Sequence, residues 1–148
     1  MNTTIREQLE KHGNFLYPNK GVSMRPLIKE GRDVMIIEKR DMGQRLKKYD
    51  VVLFERPNGE NVMHRIVDVL DDGYLILGDN CINKEYVKEE AVIGIMTGLI
   101  RNNKTIKVTD RGYRFYSKLW YALYPLRRPL MRIRNRNGEK NEADSWTG

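Results

Sequence analysis

The stretch VVLFERPNGENVMHRIVDVLDDGYLILGD, residues 51–79, decides how this chain folds. Three runs rich in Val, Ile and Leu alternate with two turn clusters, Pro57-Asn58-Gly59 and Asp71-Asp72-Gly73. Short β-branched runs bounded by Gly, Pro, Asn and Asp read as strands joined by tight connections. No stretch between them carries a helical period, so a βαβ alternation is excluded. Outward from this centre the pattern repeats in VMIIEK (34–39), AVIGIMTGLI (91–100) and TIKVT (105–109), with Asn102-Asn103 as a further turn. The sequence therefore predicts a mainly β protein with a curled or barrel-like antiparallel sheet.

Helices are predicted only at the two ends. Over residues 3–12, Thr4 and Glu7 form a capping-box pattern, Ile5 and Leu9 share a face, and Gly13 is a stop. From Tyr113 onward, Tyr113, Tyr116, Trp120, Leu123 and Tyr124 recur at helical steps, and Pro125 and Pro129 break or kink that helix. The chain divides into a β domain over 1–110, a basic aromatic helix over 111–136, and a polar tail over 137–148 that is expected to fray.

A chain of 148 residues suits one domain with a real core. Its opening residues lack the apolar segment of an export signal, and no run approaches the roughly 20 apolar residues of a membrane span. One cysteine, Cys81, excludes an internal disulfide and fits a reducing compartment, so the expected location is the cytoplasm. Two histidines and one cysteine are too few for a Cys/His zinc site, and no cofactor is expected. The net charge of +7 is concentrated: Arg111 to Arg136 holds eight basic residues and no acid, while the rest of the chain is close to neutral.

Against this frame GVSMRPLI (21–28) stands out, because Ser23 lies on a bend bounded by glycine and proline. A serine hydroxyl becomes a nucleophile at neutral pH only with a base in reach. His12, at the end of the first helix, is expected to face solvent. His64 lies inside a strand, with Met63 and Arg65 on the opposite face. Asp79, in LGDNC (77–81), and Glu85 are two carboxylates able to orient an imidazole, and the sequence does not choose between them. Cys81 is expected to be a buried or inert thiol.

Taken in order, GVSMRP, YDVVLFE, HRIVDV, LILGDN and VIGIMTGLI resemble the catalytic core of the type I signal peptidase family and its repressor-protease relatives, over roughly residues 15–109. His64-Arg65 stands where many bacterial members carry a lysine, so the chain resembles the histidine branch. The resemblance implies Ser23 as nucleophile, His64 as general base and then acid, and Asp79 as the aspartate of the Gly-Asp-Asn box. Lys84-Glu85 stands where that branch has an Asp-Asp pair, which gives Glu85 the second-acid position. Gly21 stands where many members have a hydroxyl that helps hold the oxyanion, leaving the Ser23 N–H and another donor for that task. With 22 residues before Ser23 and no Ala-Gly bond there, repressor-type self-cleavage is not expected.

The resulting expectation is a serine endopeptidase acting on a peptide or protein that lies extended along a strand edge. The rival is a catalytically silent binding module on the same fold. Three readings stay open for 111–136: an aromatic face packed on the β domain with its arginines solvated, an interfacial helix on an anionic membrane surface, and, least favoured, a nucleic-acid contact.

Overall fold

The computed structural model of the protein describes residues 4–18 and 20–146, with side chains as far as residue 135. Its elements are α1 (Ile5–His12), β1 (Asn14–Pro18), β2 (Asp33–Lys39), β3 (Val51–Glu55), β4 (Asn61–Val69), β5 (Gly73–Leu77), β6 (Glu85–Lys88), a 3-10 turn (Glu89–Ala91), β7 (Val92–Arg101), β8 (Lys104–Lys107), α2 (Arg111–Ala122) and α3 (Tyr124–Trp146). The eight strands form one sheet in the order β1-β2-β7-β3-β4-β5-β6, with β8 also on β7, and every pairing is antiparallel.

The central meander β3-β4-β5 is the one the opening stretch predicts. Its strands are apolar on both faces because both faces are covered. Val51 and Leu53 pack with Leu9, Met24, Met35, Met63 and Met96, whereas Val52 and Phe54 pack with Ile66, Tyr74, Ile76 and Val92. Alternate residues of one strand thus enter two different cores. Each fully buried side chain of this size contributes roughly 1.5–3 kcal/mol relative to an exposed one.

β7 organises the rest. One of its edges pairs with β2; the other pairs first with β3 over Val92–Ile95 and then with β8 over Gly98–Arg101. Irregularities at Ile36/Ile37, Leu53/Phe54 and Ile66/Asp68 bend the strands, as extra residues in a ladder do. The barrel expectation needs correction: the sheet does not close, because β1 and β6 form separate edges that do not pair with each other. β6, four residues long with Glu85 and Lys88 at its ends, has the short, charged character of a strand that terminates a sheet.

α1 is built as its sequence predicts. Thr4 Oγ1 accepts from the Glu7 N–H at 3.2 Å, Glu7 Oε2 accepts from the Thr4 N–H at 3.0 Å, and Gly13 caps the end in the left-handed region. Leu9 anchors the helix in the first core, and His12 is exposed. At the other end the predicted helix is divided at Leu123; Pro125 falls in the first turn of α3 and Pro129 lies inside it. The helical backbone runs on through the predicted polar tail as far as Trp146, where side chains lie outside the described residues. Among the described residues no helix is long and apolar enough to cross a membrane.

Candidate active site

Ser23 lies in the turn of residues 21–27, between buried anchors. Met24 and Ile28 are inaccessible to solvent in the first core, and the Ile28 N–H donates to the Met24 carbonyl at 3.0 Å. Gly21, at φ +86°, makes the bend that precedes them, and its N–H donates to Glu30 Oε2 at 3.1 Å. Ser23 is left half-buried at the surface of the turn. Among the described residues its N–H makes no hydrogen bond.

The Gly78-Asp79-Asn80 box fastens this turn to the sheet, and each residue has a separate task. The Asn80 N–H donates to the Ser23 carbonyl at 2.8 Å, and Asn80 Nδ2 donates to the Val22 carbonyl at 3.0 Å. Gly78 lets three groups converge: a Cβ there would stand 2.6 Å from Cys81 Sγ, 2.8 Å from the Ser23 carbonyl oxygen and 3.0 Å from His64 Nε2. The Ser23 main chain and His64 Nε2 therefore approach each other around one glycine. Among the described residues no hydrogen bond joins Ser23 Oγ to the ring.

Asp79 faces elsewhere. Arg65 Nε and Nη2 donate to its two carboxylate oxygens at 2.8 and 2.9 Å, and Tyr116 Oη donates to Oδ2 at 2.8 Å. The pair is almost fully buried. Burial works against the Arg65 charge, but the adjacent carboxylate outweighs it and the guanidinium is held protonated more firmly than usual. Arg65 also reaches the Tyr49 carbonyl and Ser117 Oγ, so the predicted opposite face of β4 is where α2 attaches. The Asp79 carbonyl accepts from Trp120 Nε1 at 2.8 Å and Arg127 Nη1 at 3.1 Å, which adds α3.

Glu85 is the acid behind the ring. It lies opposite Ile76 at the start of β6, and its Oε1 is 3.7 Å from His64 Nδ1, within ion-pair range. The same oxygen accepts from Arg56 Nη2 at 2.9 Å. His64 lies opposite Val52, is 7% exposed, and meets the Phe54 ring edge-on at 6.0 Å. Burial pushes its pKa below the ordinary histidine value; Glu85 pulls it up and Arg56 pushes it down, and burial prevails. Burial thus favours the neutral form of the imidazole. Burial raises the Cys81 thiol, which fits an inert cysteine.

Of the four sequence-derived residues, the structure brings the Ser23 main chain close to His64 Nε2 around Gly78, sets Glu85 beside His64 Nδ1, and assigns Asp79 to the neighbouring ion pair. Sequence reading noted Arg65 and Gly78 as parts of motifs without giving either a role, and did not single out Arg56. A signal for Arg65 existed: a charged residue in the middle of an apolar strand needs a buried partner. Among the described residues no cluster of His, Cys, Asp and Glu could hold a metal ion. No family model matches the chain, and no curated protein matches it.

Proposed function

We propose that the protein is a serine endopeptidase on a signal-peptidase-like core, with Ser23 as nucleophile, His64 as general base and Glu85 as the group that orients the ring. One observation carries the reading: the Ser23 main chain and His64 Nε2 converge on Gly78, with Glu85 behind Nδ1. A neutral ring that directs its Nδ1–H towards Glu85 presents a lone pair at Nε2. Ser23 Oγ would pass its proton to Nε2 as it attacks the scissile carbonyl carbon. The imidazolium then gives that proton to the departing amine, leaving an acyl ester on Ser23. Water repeats the sequence: His64 takes its proton, the hydroxide attacks the ester, and Ser23 regains its hydrogen as the acid leaves.

The substrate class follows from an open edge. β5 pairs with β4 only from Arg65 onward, so, among the described residues, 61–64 have a strand partner on the β3 side alone. An extended peptide can add to that edge by main-chain hydrogen bonds beside His64. A cavity of about 530 Å³ lined in part by Phe54, Arg56, Glu85 and Val87 opens nearby and can take a side chain.

The absence of a hydrogen bond between Ser23 Oγ and the ring favours a second reading, a peptide-binding module without catalysis. A fluorophosphonate probe separates the two. The proposal expects covalent labelling of the intact protein at Ser23, lost in Ser23→Ala and in His64→Ala. Labelling that neither substitution changes, or none in a folded wild-type protein, would overturn it.

A further inference from the structure

Docking of α2 and α3 on the Arg65–Asp79 pair consumes one side of these helices. Tyr113, Ser117, Tyr124 and Met131 are buried, and Trp120 and Arg127 are half-buried against the Asp79 carbonyl. What remains outside is not the polar face expected of a solvated helix. Phe115 and Leu119 on α2 and Leu126, Leu130 and Ile133 on α3 are 44–69% exposed. They follow one another at steps of three, four or seven residues, with the small, exposed Ala122 dividing the seven. Such spacing keeps side chains on one side of a helix. Leu123, at the junction, keeps right-handed helical angles, and the Arg127 N–H still reaches its carbonyl at 2.9 Å.

Charge identifies what fits this face. Arg111, Arg114, Lys118, Arg128 and Arg132 are exposed on the same two helices, and no acidic residue occurs from Arg111 to Arg136. Among the described residues of these helices, large apolar side chains have cations and no acid beside them, which matches a surface that is apolar beneath and anionic above. A nucleic acid would use the cations, and could stack on Phe115, but would gain nothing from Leu126, Leu130 and Ile133. We infer that the outer face of α2 and α3 is a docking surface for an anionic lipid bilayer, lying in its interface without crossing it. Apolar insertion and attraction of Lys and Arg to acidic headgroups then act together; each basic residue near the surface contributes about five-fold in binding.

Flotation of the full chain with vesicles tests this. Vesicles of phosphatidylcholine with phosphatidylserine should carry the protein, those of phosphatidylcholine alone should carry far less, and high salt should weaken the first. Leu126→Asp with Leu130→Asp should reduce binding at least about ten-fold while leaving the melting temperature near that of the wild type, since both residues are exposed. If that variant does not fold, Phe115→Ser with Leu119→Ser serves the same purpose. No binding to anionic vesicles, or equal binding by a folded variant, overturns the inference. So does a stable dimer without vesicle binding, which would assign the face to a second copy of the chain.

Discussion

Arg65 grips both carboxylate oxygens of Asp79 at 2.8 and 2.9 Å, and this bond separates the two acids near His64 into different trades. Asp79 joins the sheet to the C-terminal helices; among the described residues Glu85 is the acid within ion-pair range of the imidazole. Removing one partner of a buried ion pair strands the other charge and costs about 3–5 kcal/mol. Asp79→Ala should therefore lower the urea midpoint strongly and expose residues 111–135 to trypsin. Glu85→Ala, at a part-exposed position, should do neither. Equal destabilisation by both substitutions would contradict this division.

Glu85 and Arg56 pull the His64 pKa in opposite directions. In Glu85→Gln the upward pull is gone and Arg56 is left without that partner. The acid limb of Ser23 labelling by the fluorophosphonate should move to lower pH. The plateau rate should fall by roughly two orders of magnitude or more, because the ring loses the anion that fixes its tautomer. A pH–rate profile of labelling measures both effects. A limb that moves to higher pH, or a plateau that does not change, would remove Glu85 from the site.

Much of the architecture is readable in the chain because its signals are local. The capping box at Thr4 and Glu7 and the turn clusters around Gly59 and Gly73 act within a few residues of themselves. β1 and β6 escaped because edge strands need only half an apolar pattern: NFLYP buries Phe15 and Tyr17 partly, and EYVK buries Val87 alone. The choice between Asp79 and Glu85 was not readable for another reason. It depends on the β5–β6 register, which places Glu85 opposite Ile76, and on the reach of Arg65 from the opposite face of β4. Neither is a property of local spacing. For the same reason sheet closure could not be told from an open curl, since both give the same strands.

Gly78 is needed for space. Its φ is not in the left-handed region, but a Cβ would press on the Ser23 carbonyl, which is main chain held by the Asn80 N–H and cannot yield cheaply. Gly78→Ala should push the Ser23 turn away from His64. Overpacking of this kind costs about 1–3 kcal/mol. The expected result is a modest fall in melting temperature with nearly complete loss of labelling, a larger functional than structural effect. Full labelling in the alanine variant would mean that the turn and the ring need not meet as closely as the fold holds them.

His64 also ties stability to pH, and the sign follows from which influence prevails. Burial lowers its folded-state pKa, so below the unfolded value of about 6.5 the unfolded chain binds the proton more readily than the folded one. Folding is then opposed by protonation. This group's contribution is complete above about pH 6.5 and is lost as pH falls from there through the depressed folded pKa, at up to about 1.4 kcal/mol per pH unit. His64→Gln keeps a polar side chain of similar reach without the titration. Urea unfolding of the wild type and the variant across this range should show wild-type stability falling on acidification relative to the variant. The difference isolates His64 from carboxylates that titrate in both proteins. The opposite slope, with the wild type gaining relative stability in acid, would mean that attraction to Glu85 outweighs burial. The protonated ring would then be favoured more than in an ordinary histidine, and fewer molecules would carry the Nε2 lone pair that is to receive the Ser23 proton.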